Sequence, residues 1–340
     1  MRIKSVFYFS LALPLLSGFI AIKHSPDSDP GKAVLVPTSF INGERLYIKM
    51  PSVKGDTLLG FCDTGGGLCF TFPPTIDKLA LKPMVKTGHI KGLFKMKFID
   101  CKDIVTLGNI PTPIERPDFA LKYHSKKIGE PYFVVLPMDG EMKFFIQTMP
   151  IDVFLGQNYF MGKSWTIDYI HHQLWTNTPL AADDASVQKI GFKKNAQGLA
   201  IVGHPCTFIE VDGEQIDVLF DTGATIILSD SGKKVLNTAA KTIGGSFIAK
   251  SVFEKWRQAH PYWKIYTKAD RNADIIEVPK VKIGKYDVGP VLFAERPDEA
   301  WSKYMIGSMD KVVKGAIGGS GLKYLKVTID YNSELIKFEK

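Results

Sequence analysis

The sequence predicts a mainly β protein built from two copies of one unit. Three observations predict it. Leu219-Phe220-Asp221-Thr222-Gly223-Ala224 repeats the wording of Gly60-Phe61-Cys62-Asp63-Thr64-Gly65-Gly66, with Asp221 158 positions after Asp63. Each motif is entered the same way. Leu46–Met50, a turn at Lys54-Gly55 and Thr57–Phe61 lead to Asp63; Thr207–Val211, a turn at Asp212-Gly213 and Gln215–Phe220 lead to Asp221. That is strand, glycine turn, strand, ending in a carboxylate. Each copy also closes the same way: Phe154-Leu155-Gly156 precedes Trp165–Tyr169, and Ala316-Ile317-Gly318 precedes Val327–Tyr331, 162 positions later. Units of about 140–150 residues repeated in order are one architecture used twice.

Before the first copy, Arg2 and Lys4 precede an apolar run from Ser5 to Ile22 and a polar exit from Lys23 to Pro30. A charged start, apolar run and polar exit predict export, periplasmic or secreted. Cleavage of the leader is preferred, with retention of residues 5–22 as a membrane tether as the alternative fate. Residues 1–33 are thus set apart as leader plus spacer.

In the first copy, residues 34–62 read as short strands and Ile76–Leu81 as one or two helical turns. Phe94, Met96 and Phe98 alternate with Lys95 and Lys97, a half-buried strand, and the glycines before it suit a hairpin tip. Residues 111–150 carry Pro111, Pro113, Pro117, Pro131 and Pro137 and read as an irregular insert. Thr176–Ala185 is small and polar, a linker. In the second copy, Ser251–Arg257 has helical spacing and stops before Pro261, and Ile275–Gly284 reads as strands and a turn. Gly244-Gly245-Ser246 precedes residues that look helical.

Asp-Thr-Gly followed by apolar-apolar-Gly, twice in one chain, resembles the bilobal aspartic proteases, the pepsin-like family. Gly66 and Ala224 in the fourth place lean toward its retropepsin-like branch. The likeness spans residues 34–340. It implies two pseudo-symmetric β-barrel-like lobes with a few short helices, the N-terminal lobe over 34–178 with Asp63 and the C-terminal lobe over 179–340 with Asp221. It implies an aspartic endopeptidase in which Asp63 and Asp221 share a proton and activate water on a protein or peptide substrate. Thr64 and Thr222 would lock the two loops together, Gly65 and Gly223 would let them approach, and Gly156 and Gly318 would pack behind them. A flap over residues 86–98 is implied, with Gly88, His89, Ile90, Lys91 and Gly92 at its tip. No cofactor and no metal are expected, and the protein is expected to be a monomer. The family usually carries Ser or Thr where Gly66 and Ala224 stand. Without that hydroxyl the carboxylates lose support for ionisation, so an optimum at mildly acidic pH is expected.

The remaining composition narrows the field. The net charge of +8 is spread along the chain, which argues against a dedicated nucleic-acid binder. Lys86, Lys91, Lys95 and Lys97 favour acidic substrates. Four cysteines imply no disulfide framework; Cys62–Cys69 and Cys69–Cys101 bridges are open, and a buried reduced Cys62 is preferred. His171-His172 read as a solvated turn. Two rivals remain: a protease-shaped peptide-binding protein that does not cut, and a membrane-anchored assembly factor.

Overall fold

The computed structural model describes residues 32–340 except 43, 91–93, 115–120, 124–125, 128–129, 140–142 and 144–145. The leader, on which the export expectation rests, and Lys91 and Gly92 of the expected flap tip lie outside the described residues. Among the described residues no helix is long and apolar enough to cross a membrane.

The protein is mainly β, with three large sheets and few helices. A ten-stranded sheet is drawn from residues 38–155 and a nine-stranded sheet from residues 206–317. Their central parts match. Thr57–Cys62 lies between antiparallel Arg45–Pro51 and parallel Val153–Leu155. Glu214–Phe220 lies between antiparallel Cys206–Val211 and parallel Gly315–Ile317. A parallel strand inside a sheet is covered on both faces, and Val153-Phe154-Leu155 and Gly315-Ala316-Ile317 are accordingly buried at every residue. The tight turn after Val211 uses Asp212 and Gly213, both at positive φ (53° and 80°), which suits the two-residue hairpin and its Asp-Gly wording.

A six-stranded sheet joins the two copies. Its order is Val34–Val36, Gln173–Thr176, Ser164–Asp168, Lys326–Asp330, Leu335–Glu339, Val187–Lys189, three strands from each side of the linker. Ser164–Asp168 and Lys326–Asp330 pair antiparallel with Thr166 opposite Thr328, and the two hydroxyls are 2.8 Å apart. Trp165 and Ile167, Val327 and Ile329 bury the apolar face of this seam in the main core, which runs on to Leu46, Ile48, Phe220 and Ile317. A second cluster forms around Tyr47, Phe61, Phe70 and Phe154 on the other face of the ten-stranded sheet.

The short elements also follow the sequence. Helical turns occupy Pro73–Lys78 and Lys82–Met84, and a helix spans Lys250–Ala259, ending before Pro261. Two expectations need correction. The insert at 111–150 is not irregular throughout, because Tyr132–Val135 is an inner strand paired with Phe94–Asp100 and Phe70–Thr71. Pro131 and Pro137 bracket this strand and so disguised it. Ser246–Ala249 is a strand between Val291–Arg296 and Gly315–Ile317, and the helix begins only after it. The cysteines agree with the preferred expectation: all four are free and buried, Cys62 among them, and neither open bridge forms. His171 lies exposed in a turn as expected, with its Nδ1 2.9 Å from Asp168 Oδ2.

Candidate active site

The two Asp-Thr-Gly loops meet. Each starts where its central strand ends, and each aspartate N–H is fixed by the neighbouring parallel strand: Asp63 N donates to Leu155 O and Asp221 N to Ile317 O, both at 2.9 Å. Threonine hydroxyls then tie loop to loop. Thr64 Oγ1 donates to Phe220 O (2.7 Å) and accepts from Thr222 N (3.0 Å). Thr222 Oγ1 donates to Cys62 O (2.9 Å) and accepts from Thr64 N (3.2 Å). Both threonines are fully buried, so these four bonds satisfy groups that water cannot reach.

The glycines allow the approach. A Cβ on Gly65 would lie 2.7 Å from Asp221 Cγ, and one on Gly223 would lie 2.1 Å from Asp63 Cγ. Each loop is therefore cut to fit the other's carboxyl group. Gly156 and Gly318 sit behind the loops: a Cβ at Gly156 would meet Gly67 O and Leu68 O at 2.6 and 2.7 Å, and one at Gly318 would meet Gly245 O and Ala224 Cβ at 2.4 and 2.5 Å.

The joined loops bring the carboxyl groups of Asp63 and Asp221 side by side, close enough for each to act on the other's ionisation. Both are half-buried at the surface but lined by protein on the remaining sides. For Asp63, burial pushes its pKa well above the usual carboxylate range, and the Asp221 charge and hydrogen bond push it further; the N–H groups of Gly65 and Gly66 oppose this only in part. Burial also raises Asp221, but the hydrogen bond from Asp63 and the N–H groups of Gly223, Ala224 and Gly65 hold it down. Gly223 N reaches Asp221 Oδ1 at 2.9 Å. Both acids are thus pushed up by burial, and the titration belongs to the pair, which holds one proton into a range where a lone carboxyl would be ionised. The arrangement can polarise a water with one carboxyl and donate a proton from the other.

The fourth position of the first motif has a steric cause. A Cβ on Gly66 would meet Phe154 Cε1 and Cζ at 2.5 and 2.6 Å. Phe154 is held in place by stacking on Phe70, centroids 4.3 Å apart at 6°, so its ring occupies the space that a serine or threonine would need. Two further residues at this loop escaped sequence reasoning. Gln157 N donates to Gly66 O at 3.1 Å, and His204 Nε2 lies 3.1 Å from the same oxygen and 3.2 Å from Gln157 Nε2. Gln157 directly follows Gly156, which was its one signal; His204 had none.

The expected flap is an antiparallel hairpin, Lys86–Ile90 with Phe94–Asp100, in which Gly88 faces Met96 and His89 faces Lys95. Met96 packs on the cluster of Phe61, Phe70 and Phe154, which links the hairpin to the ring beside Gly66. Lys86 is committed to Asp100 at 2.6 Å, while Lys95 and Lys97 are exposed. Among the described residues no three His, Cys, Asp or Glu side chains group as metal ligands.

No family model and no curated protein matches this chain. The functional reading therefore rests on the residues and their geometry.

Proposed function

We propose that the protein is an exported, bilobal, pepsin-like aspartic endopeptidase. The observation that carries this reading is the reciprocal Thr64–Thr222 lattice, which brings the loops bearing Asp63 and Asp221 together so that each glycine fits against the other loop's carboxyl group. The matched strand triplets ending in these loops, and the six-stranded sheet shared by residues 34–176 and 187–339, support the bilobal pepsin-like arrangement, with lobes over 34–178 and 179–340. Peptide would lie over the dyad beneath the hairpin at 86–98.

In this mechanism Asp221, as carboxylate, accepts a proton from a water placed between the two acids. Asp63 donates its proton to the scissile carbonyl oxygen as the water oxygen attacks the carbonyl carbon. The tetrahedral gem-diol collapses as Asp221 gives its proton to the leaving amine, the C–N bond breaks, and one hydroxyl returns its proton to Asp63, leaving a carboxyl product and one shared proton on the pair. The raised pKa of both acids supports an optimum at mildly acidic pH.

The test is incubation of a protein mixture with the wild type, Asp63→Asn and Asp221→Asn across pH, reading the new termini. Cutting by the wild type alone is expected. Equal cutting by either variant would remove the dyad from the mechanism. Peptide binding without cutting by the wild type would favour the non-cleaving rival.

A further inference from the structure

Each copy sends a short arm into the other. Tyr47 pairs with Phe61 and Cys206 with Leu219, and Phe61 and Leu219 each stand two residues before their aspartate. Arg45 and His204, two residues earlier still, therefore hold equivalent places. Both reach across. Arg45 Nη1 donates to Thr242 Oγ1 at 2.5 Å, in the second copy. His204 meets Gly66 O and the Gln157 side chain, in the first. The residue before each touches the helical turn behind the opposite loop: a Cβ on Gly319 would lie 2.5 Å from Glu44 O, and Gly203 N donates to Gln157 Oε1 at 2.5 Å.

The two arms end differently. The Arg45 arm stops at the strand Thr242–Gly244, whereas the His204 arm touches the Asp63 loop itself. In the second motif the fourth-position carbonyl, Ala224 O, accepts from Gly245 N at 2.9 Å, within its own copy. In the first motif that carbonyl is Gly66 O. It accepts from Gln157 N at 3.1 Å and is met from the other copy by His204 Nε2, also at 3.1 Å. The arm is anchored beside the second aspartate, because Pro205 O accepts from Phe220 N at 2.9 Å, and Pro205 keeps the residue before it extended. His204 is 6% exposed, so bulk water does not compete for its contact.

Gly66 is where support for the Asp63 carboxyl group enters. A Cβ on it would lie 3.0 Å from Asp63 Cγ, and its N–H favours the ionised acid. With no side-chain hydroxyl at this position, the pose of the backbone sets that support. Gln157 narrows the role of the imidazole. Its Oε1 faces Gly203 N, so its NH2 is the group beside His204, 3.2 Å from Nε2. A bare Nε2 would accept from that NH2 but set its lone pair against the Gly66 oxygen, the shorter contact. A protonated Nε2 gives the oxygen its second hydrogen bond.

We propose that His204, carried by the second copy, is a positioning residue for Asp63: its Nε2 donates to Gly66 O and holds the Gly66 N–H against the Asp63 carboxyl group. This rests on the endopeptidase reading, and two measurements on the full chain separate the two. In the first, kcat, KM and the pH–rate profile are compared for the wild type, His204→Leu, which fills the space without a donor, and His204→Gln, whose amide nitrogen donates from nearly the same place. His204→Leu should lose about ten- to a hundredfold in kcat with KM near the wild-type value. Its alkaline limb, where the pair loses its shared proton, should move to higher pH, because the ionised Asp63 has lost a donor. His204→Gln should restore both. A wild-type limb in His204→Leu, or a His204→Gln that matches His204→Leu, overturns the assignment.

If the wild type cuts nothing, the endopeptidase reading has failed, and the second measurement still decides on His204. NMR of protein with isotope-labelled histidine rings and aspartate carboxyl groups reads the ring proton and the dyad titration directly, with Asp63→Asn and Asp221→Asn identifying the dyad signals. A protonated Nε2 is expected, together with a final dyad step that moves up in His204→Leu and returns in His204→Gln. A bare Nε2, or one and the same titration in all three proteins, overturns the proposal. Failure of both His204 variants to fold would assign the residue to packing alone and overturn it as well.

Discussion

Placing a hydroxyl beside Asp63 should fail as a single change and succeed as a double one. In Gly66→Ser the new Cβ would stand 2.5 and 2.6 Å from the Phe154 ring, about 1 Å inside ordinary carbon contact. Phe154 cannot yield freely, because it stacks on Phe70 and packs on Phe61. Overpacking of this kind costs about 1–3 kcal/mol. About 300 ordered residues unfold with an entropy near 0.6 kcal/mol/K, so Gly66→Ser should lower the Tm by about 2–5 °C. Phe154→Ala alone should cost about 3–5 kcal/mol for its lost burial. In the double variant the overlap vanishes, so its cost should fall short of the sum by about 1–3 kcal/mol. Denaturant melts of the four proteins at neutral pH complete this cycle. Additive costs, or no cost for Gly66→Ser, would refute the steric account of the missing hydroxyl. The double variant should also move the alkaline limb of the pH–rate profile toward acid, because the hydroxyl supports the charged form.

Three other outcomes follow from the same geometry. Folding raises the pKa of Asp63 and Asp221, so their contribution to stability is full below about pH 4, the unfolded carboxylate value, and is lost as pH climbs through the folded values. Asp63→Asn should therefore gain stability relative to the wild type as pH rises from 4 to 8, and Tm against pH measures it; a variant-minus-wild-type Tm difference that falls with pH would contradict the sign. Thr222→Val strips the acceptor from Thr64 N and the donor from Cys62 O, leaving two buried groups unmet, which costs about 2–6 kcal/mol. Its kcat should fall more than its KM rises, since the dyad loses its alignment. Burial holds Cys62 and Cys101 well above the usual thiol range and Cys69 up to about 12, so none of the four thiols should react with Ellman's reagent until the protein is denatured. Reductant should leave the Tm unchanged.

What the chain announced, it announced by repetition. The Asp-Thr-Gly turns, the strands that feed them and the glycines behind them are local words, and a local word is legible when it is said twice. The contacts that complete the site are not local. His204 meets Gly66 across 138 positions and Arg45 meets Thr242 across 197, so neither residue carries a mark of its partner. The fit of Phe154 to Gly66 is a complementarity of size between a ring and an absent side chain, which appears only once both are placed. The strand Tyr132–Val135 was obscured for another reason. Its prolines bound the element rather than break it, and a proline-rich stretch reads the same in both cases.

The seam at Thr166 and Thr328 has one more consequence. Each half offers the other an antiparallel strand in a register that maps a residue onto its own counterpart, as an isologous contact between twins would. A fragment of residues 187–340 would expose Lys326–Asp330 as a bare edge. Such a fragment should not stay single in solution: it should find a copy of itself, threonine to threonine, and behave as a homodimer.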